Sequence, residues 1–215
     1  MHFDLPPVTR ALLIANVAVF LLQQLLGDVL LVHFALWPWG PAHQALGEHG
    51  VVTVGFHVWQ LVTYGFMHGS LTHIFFNMFA LYMFGGVIER TLGQGNFVAY
   101  YFVCMVVAAV AQLCVVHWFI PGFYPTIGAS GAIFGLLLAF GMLYPHQRLM
   151  LLFPPIPMPA WIFVGAYIVL ELVLGVTGTA GVAHFAHLGG ALAGFVMIEY
   201  WRGHLPIKPR RRLMR

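Results

Sequence analysis

Apolar positions in this chain cluster on the scale of whole helices. Long apolar runs over 10–27, 71–88, 97–117, 130–144, 159–176 and 184–201 are separated by stretches carrying Pro, Gly and His. A helix needs about 20 largely apolar residues to cross a hydrocarbon core roughly 30 Å thick. The fourth run stops at Pro145, so its helix of roughly 15 residues reaches only about 22 Å. The pattern predicts an all-α membrane protein, a bundle of six transmembrane helices of which the fourth is short.

The one long connection lies between the first two helices. Residues 28–66 are no polar linker, because they carry Phe34, Trp37, Trp39, Phe56, Trp59 and Phe66. Such aromatics suit a structured, membrane-associated loop lying in the interface. Three parts follow: a short cytoplasmic N-terminus over 1–9, a six-helix membrane domain over 10–201, and a basic cytoplasmic tail over 202–215. The first run is read as a retained helix, since only Arg10 precedes it and Gly27-Asp28-Val29 lacks a small-x-small cleavage pattern.

Composition and charge sharpen this picture. With 61% hydrophobic and 7% charged residues, the chain has too little polar surface for a soluble globule. All nine Lys and Arg, namely Arg10, Arg90, Arg148, Arg202, Lys208, Arg210, Arg211, Arg212 and Arg215, fall on one side of a six-helix bundle. The positive-inside rule makes that side the cytoplasm, with both termini there. The basic tail reads as a topology signal touching anionic lipid, in preference to nucleic-acid binding. The lack of a soluble domain leans toward a bacterial inner membrane. Cys104 and Cys114, both inside the third run, read as buried packing residues.

Four polar side chains then stand out. Counted back from Pro145 or from the arginines that mark the cytoplasmic boundary, Ser130, His187, Asn77 and His73 lie roughly 22, 22, 20 and 25 Å up their helices. They reach one level, and Ser130 lies on the order of 8 Å below the outer edge of the core. Polar groups at that depth are costly and point to function. Serine needs a base to act as a nucleophile, and His187 is a candidate. His73 and Asn77 are four apart and share a helix face, while Ser130 opens its helix, where free N–H groups favour an anion. Gly128, Ala129 and Gly131 leave room beside the hydroxyl. Gly190 and Gly194 form a small-xxx-small pattern that could bring His187 against Ser130.

Three segments in order, His68-Gly69-Ser70-Leu71-Thr72-His73-Ile74-Phe75-Phe76-Asn77, Gly128-Ala129-Ser130-Gly131 and Ala186-His187-Leu188-Gly189-Gly190-Ala191-Leu192-Ala193-Gly194, resemble the rhomboid family of intramembrane serine proteases. Glu89-Arg90 with Gly93 also fits, and the resemblance runs from about residue 36 to 201. It implies Ser130 as nucleophile and His187 as general base and acid, a dyad with no acidic third member. It implies an oxyanion site from His73, Asn77 and the Ser130 N–H, a structural role for His68, and Phe134 packed on the catalytic imidazole. The implied substrates are transmembrane-helix proteins in the lipid bilayer, unwound near the outer surface, with no metal or other cofactor. Trp59-Gln60 stands where family members often carry Trp-Arg, so a role for that arginine in holding the loop does not transfer.

Glu171 is the one intramembrane acid. Midway along the fifth run, it reads as too deep to orient His187 and as a packing or polar-contact residue. His184 shares a face with His187, but a metal pair there lacks carboxylate or cysteine partners. Two other classes compete with a protease. Paired intramembrane histidines also ligate haem or line transport paths, yet neither role needs a hydroxyl at Ser130. A non-catalytic relative that binds transmembrane helices would be signalled by loss of Ser130 or His187, and both are present. The sequence sets no oligomeric state.

Overall fold

The structure, a computed structural model, describes residues 5–47, 50–119, 122–150, 155–177, 183–207 and 209. The charges of the tail, Lys208, Arg210, Arg211, Arg212 and Arg215, lie outside the described residues.

The elements are α1 (Pro7–Leu26), α2 (Asp28–Phe34), β1 (His43–Gly47), β2 (Gly50–Val54), α3 (Gln60–Thr63), α4 (Leu71–Leu92), α5 (Gln94–Trp118), α6 (Ser130–Leu143), β3 (Arg148–Met150), β4 (Pro157–Pro159), α7 (Ala160–Thr177) and α8 (His184–Arg202). Four of them, α1, α4, α5 and α7, are long and apolar enough to cross a membrane, and α6 is a shorter apolar helix. Helix α8 has 19 residues but carries His184, His187, Glu199 and Arg202.

Two expectations change. The protein is mostly helical but not all-α: β1 and β2 pair antiparallel from His43↔Val54 to Gly47↔Gly50, and β3 pairs with β4. Residues 7–9 belong to the first helix, because Pro7 takes its first position, where a missing N–H costs nothing. The next two N–H groups are satisfied from a distance. Val8 N and Thr9 N donate to Glu89 at 3.0 and 2.7 Å, and Thr9 Oγ1 donates to the same carboxylate at 2.7 Å. An anion at a helix N-terminus is favourable, so this contact ties the start of α1 to the end of α4.

Further bonds fix which helix ends meet. Thr91 Oγ1 and Tyr144 OH lie 2.7 Å apart, and Arg202 Nη2 donates to Met142 O at 2.7 Å. The start of α1 and the ends of α4, α6 and α8 therefore share one end of the bundle, with Arg10, Arg90 and Arg202. At the other end, Gln23 Nε2 donates to His68 O and His68 N donates back to Gln23 Oε1.

Helix α5 forms the centre. Phe97, Tyr100, Tyr101, Cys104 and Met105 are fully buried, and Tyr100 OH donates to Gly135 O at 2.6 Å. Cys104 and Cys114 are both free thiols, the first buried and the second half-buried. Leu21, Leu25, Phe75, Leu170, Val173 and Leu192 point outward and are exposed, as suits a hydrocarbon surround.

The connection from α1 to α4 is ordered by Gln60, which is fully buried. Its Oε1 accepts from Trp37 N at 3.2 Å and His57 N at 3.1 Å. Its Nε2 donates to His33 O at 3.3 Å and Gly55 O at 3.2 Å. The glutamine thus pins three stretches of loop backbone.

Candidate functional site

Local chemistry places each polar side chain. Ser70 caps α4 by accepting from His73 N at 3.1 Å, which starts the helix at Leu71 and sets the face shared by His73 and Asn77. Ser130 is the first residue of α6, whose first intrahelical bond runs from Ile133 N to Ala129 O at 3.1 Å. The N–H groups of 130–132 precede that ladder and have no acceptor within it. Before them, Gly128 has φ +124°, and a Cβ there would stand 2.8 Å from His73 Nε2. Only glycine fits both constraints.

At the seam between α6 and α8 the two backbones touch directly. A Cβ on Gly190 would collide with Gly131 O and come within 2.7 Å of Gly131 C, and a Cβ on Gly194 would collide with Tyr100 OH. A Cβ on Gly131 would in turn come within 2.5 Å of Ala108 Cβ on α5. Two backbones in contact bring His187 Nε2 to 2.8 Å from Ser130 Oγ, a hydrogen-bond distance.

The imidazole of His187 is held on its face and on its other nitrogen. Phe134, one turn after Ser130, stacks on it with centroids 4.3 Å apart and planes 7° apart, and Tyr167 stacks in turn on Phe134 at 5.3 Å. His187 Nδ1 lies 2.9 Å from Glu171 Oε2, and His184 Nδ1 lies 2.7 Å from the same oxygen. All three groups are buried.

This corrects the reading of Glu171 as too deep to reach His187. Glu171 is six residues from the end of α7, about 9 Å, and His187 three residues into α8, about 4.5 Å. Antiparallel neighbours joined by a short connection leave a few ångströms, which the two side chains span. The same contact supplies the carboxylate that a His184–His187 pair was thought to lack. Glu171, His184 and His187 each have a ligand atom within 4.8 Å of the others, a donor set of the kind zinc uses, although their mutual hydrogen bonds already account for the approach.

Ser130, His187, His73 and Asn77 all line one cavity of about 360 Å³, with Gly128, Gly131 and Phe134 in its wall. Asn77 Nδ2 donates to His73 O at 2.9 Å, which leaves one amide N–H for another acceptor. His73 Nδ1 accepts from Gly69 N at 3.4 Å, so the proton belongs on Nε2, the nitrogen facing Gly128. His68 is outside this cavity: it is buried, its ring lies 5.0 Å from that of His73, and neither of its nitrogens has a protein partner among the described residues. Burial, and to a lesser extent neighbouring His73, lower its pKa from 6.5 to about 4.

Apolar helices of membrane-crossing length, surrounding a cavity with a serine–histidine contact, define an integral, multi-pass membrane protein with a candidate hydrolytic site. A family model described as Rhomboid domain matches residues 55–202, and the chain belongs to the rhomboid family. It is 30% identical over 197 residues to "Rhomboid protease GlpG" of Klebsiella pneumoniae strain 342 and to the protein of the same name from K. pneumoniae subsp. pneumoniae, covering 89% of this chain and 62% of each relative. It is also 30% identical over 155 residues to "Rhomboid protein 1, mitochondrial" of Saccharomyces cerevisiae, covering 69% of this chain and 43% of that one. The chain thus spans 62% or less of the length of these curated relatives.

Proposed function

We propose that this chain is an intramembrane serine endopeptidase that hydrolyses peptide bonds in or near transmembrane segments of other membrane proteins. The 2.8 Å contact between Ser130 Oγ and His187 Nε2, at the edge of a cavity among apolar helices, carries the reading. Ser130 Oγ attacks the scissile carbonyl carbon while its proton passes to His187 Nε2. The carbonyl electron pair moves onto oxygen, where the Ser130 N–H, His73 Nε2–H and the remaining Asn77 amide N–H donate to it. The tetrahedral species collapses as His187 returns the proton to the leaving amine, and water repeats the sequence on the acyl-enzyme.

The setting is six membrane spans, with α6 short, so that Ser130 opens below the outer surface and water enters from outside. Arg10, Arg90, Arg148 and Arg202 mark the cytoplasmic side, both termini lie there, and the residence is a bacterial inner membrane. The loop from 28 to 66 rests in the outer interface. Substrate helices must unwind to expose a peptide bond, so segments with small or helix-breaking residues are preferred.

The test is fluorophosphonate labelling of the detergent-solubilised chain beside cleavage of a Gly-containing transmembrane substrate. Wild type labels and cuts, whereas Ser130→Ala does neither and His187→Ala is severely impaired. Labelling that survives Ser130→Ala removes the reading.

A further inference from the structure

We propose that Glu171 is a positioning residue for His187, so that this chain uses a Ser130–His187–Glu171 relay in place of a two-residue dyad. The inference rests on the reading of Ser130 and His187 as nucleophile and base. Both ring nitrogens of His187 are engaged: Nε2 faces Ser130 Oγ at 2.8 Å and Nδ1 faces Glu171 Oε2 at 2.9 Å. An ionised carboxylate only accepts, so His187 carries its proton on Nδ1 and presents a lone pair on Nε2 to the serine. That is the tautomer a general base requires.

Helix α7 delivers this support as a unit. Tyr167 and Glu171 are one turn apart; the tyrosine backs Phe134, which backs the imidazole face, and the glutamate meets the imidazole edge. His184 donates to the same oxygen at 2.7 Å from the start of α8, so the carboxylate is bracketed by two imidazoles. A carboxylate buried among apolar helices is costly unless it is hydrogen-bonded, and both bonds that offset the cost lead to the catalytic edge of α8.

The proton balance is closed within the chain. When the Oγ–carbon bond forms, the Ser130 proton goes to Nε2 and His187 becomes an imidazolium, while Glu171 stays ionised 2.9 Å away and stabilises that charge. The proton leaves from Nε2 to the departing amine as the carbon–nitrogen bond breaks. Neutralising the equivalent carboxylate in soluble serine proteases lowers kcat about 10⁴-fold.

The experiment compares wild type with Glu171→Gln, Glu171→Asp and Glu171→Leu in detergent, reading kcat and KM on a transmembrane substrate, the fluorophosphonate labelling rate, and the melting temperature. Glu171→Gln keeps the shape and loses the charge, so kcat per folded molecule should fall about 10²- to 10⁴-fold while KM changes little. Glu171→Asp restores the charge and should recover more activity than Glu171→Gln despite its shorter reach. A Glu171→Gln enzyme with wild-type kcat per folded molecule overturns the proposal. So does a loss in all three variants that merely tracks loss of folded protein, and so does chelator-abolished wild-type activity restored by Zn²⁺, which would make the cluster a metal centre. The first two outcomes leave the serine mechanism standing; the third would take His187 from its role as base, and whether Ser130→Ala still labels decides the nucleophile separately.

Discussion

Gly190→Ala should disable the site from a position that touches no substrate. The added Cβ would fall on Gly131 O and within 2.7 Å of Gly131 C. Comfortable carbon–carbon contact is about 3.5–4.0 Å, so α8 must retreat by about 1 Å or more. His187 is three residues from Gly190, less than one turn, and Gly131 adjoins Ser130; the same displacement takes the 2.8 Å Ser130–His187 contact to almost 4 Å, beyond hydrogen bonding. A misplacement of that size costs about 10²-fold in rate, and overpacking costs a further 1–3 kcal/mol or so of stability. The assay is the fluorophosphonate labelling rate beside the melting temperature in detergent. Gly165→Ala, where a Cβ meets nothing within 4 Å, is the control and should leave both unchanged. A Gly190→Ala protein that labels at the wild-type rate would show that the backbone seam does not hold Ser130 against His187.

Three further outcomes follow from the geometry. Asn77→Ala removes one of the proposed oxyanion donors and should lower kcat about 10²- to 10³-fold, or less if His73 compensates; cleavage kinetics decide it. His68 has a folded pKa of about 4 against 6.5 unfolded, so its contribution to stability is intact above pH 6.5 and is lost as pH falls toward 4. The melting temperature should decline across that window in wild type and less steeply in His68→Gln. Gln60→Ala strands the backbone donors of Trp37 and His57 and the Gly55 carbonyl, whereas His33 O keeps the Trp59 indole N–H; each group left unpaired costs about 1–3 kcal/mol, visible as faster proteolysis between α1 and α4.

The long elements were legible because a membrane helix is specified by composition over its whole length. The expected run 71–88 became Leu71–Leu92, 97–117 became Gln94–Trp118, and 130–144 became Ser130–Leu143. The hairpins were not legible: β3 and β4 have three residues each, and Met158 stands between Pro157 and Pro159, a poor strand signal. The reach of Glu171 does not follow from its depth along one helix, because it depends on where the antiparallel neighbour begins. Gln60 was visible only as a departure from Trp-Arg; that an amide satisfies four backbone groups depends on how the loop folds back on itself. The contact of Ser130 with His187 likewise belongs to the seam between α6 and α8, which the glycine spacing suggested but could not dimension.

That seam also limits how the protein can change. Most tight packing contacts can be repaired by trimming the opposing side chain, yet the atom facing Gly190 is the carbonyl of Gly131, where there is nothing left to trim. Compensation would have to come from the floor beneath both helices, at Ala108 under Gly131 and Ala111 under Gly189, and these are already alanines. A selection for second-site revertants of Gly190→Ala should therefore return glycine at 190 and little else.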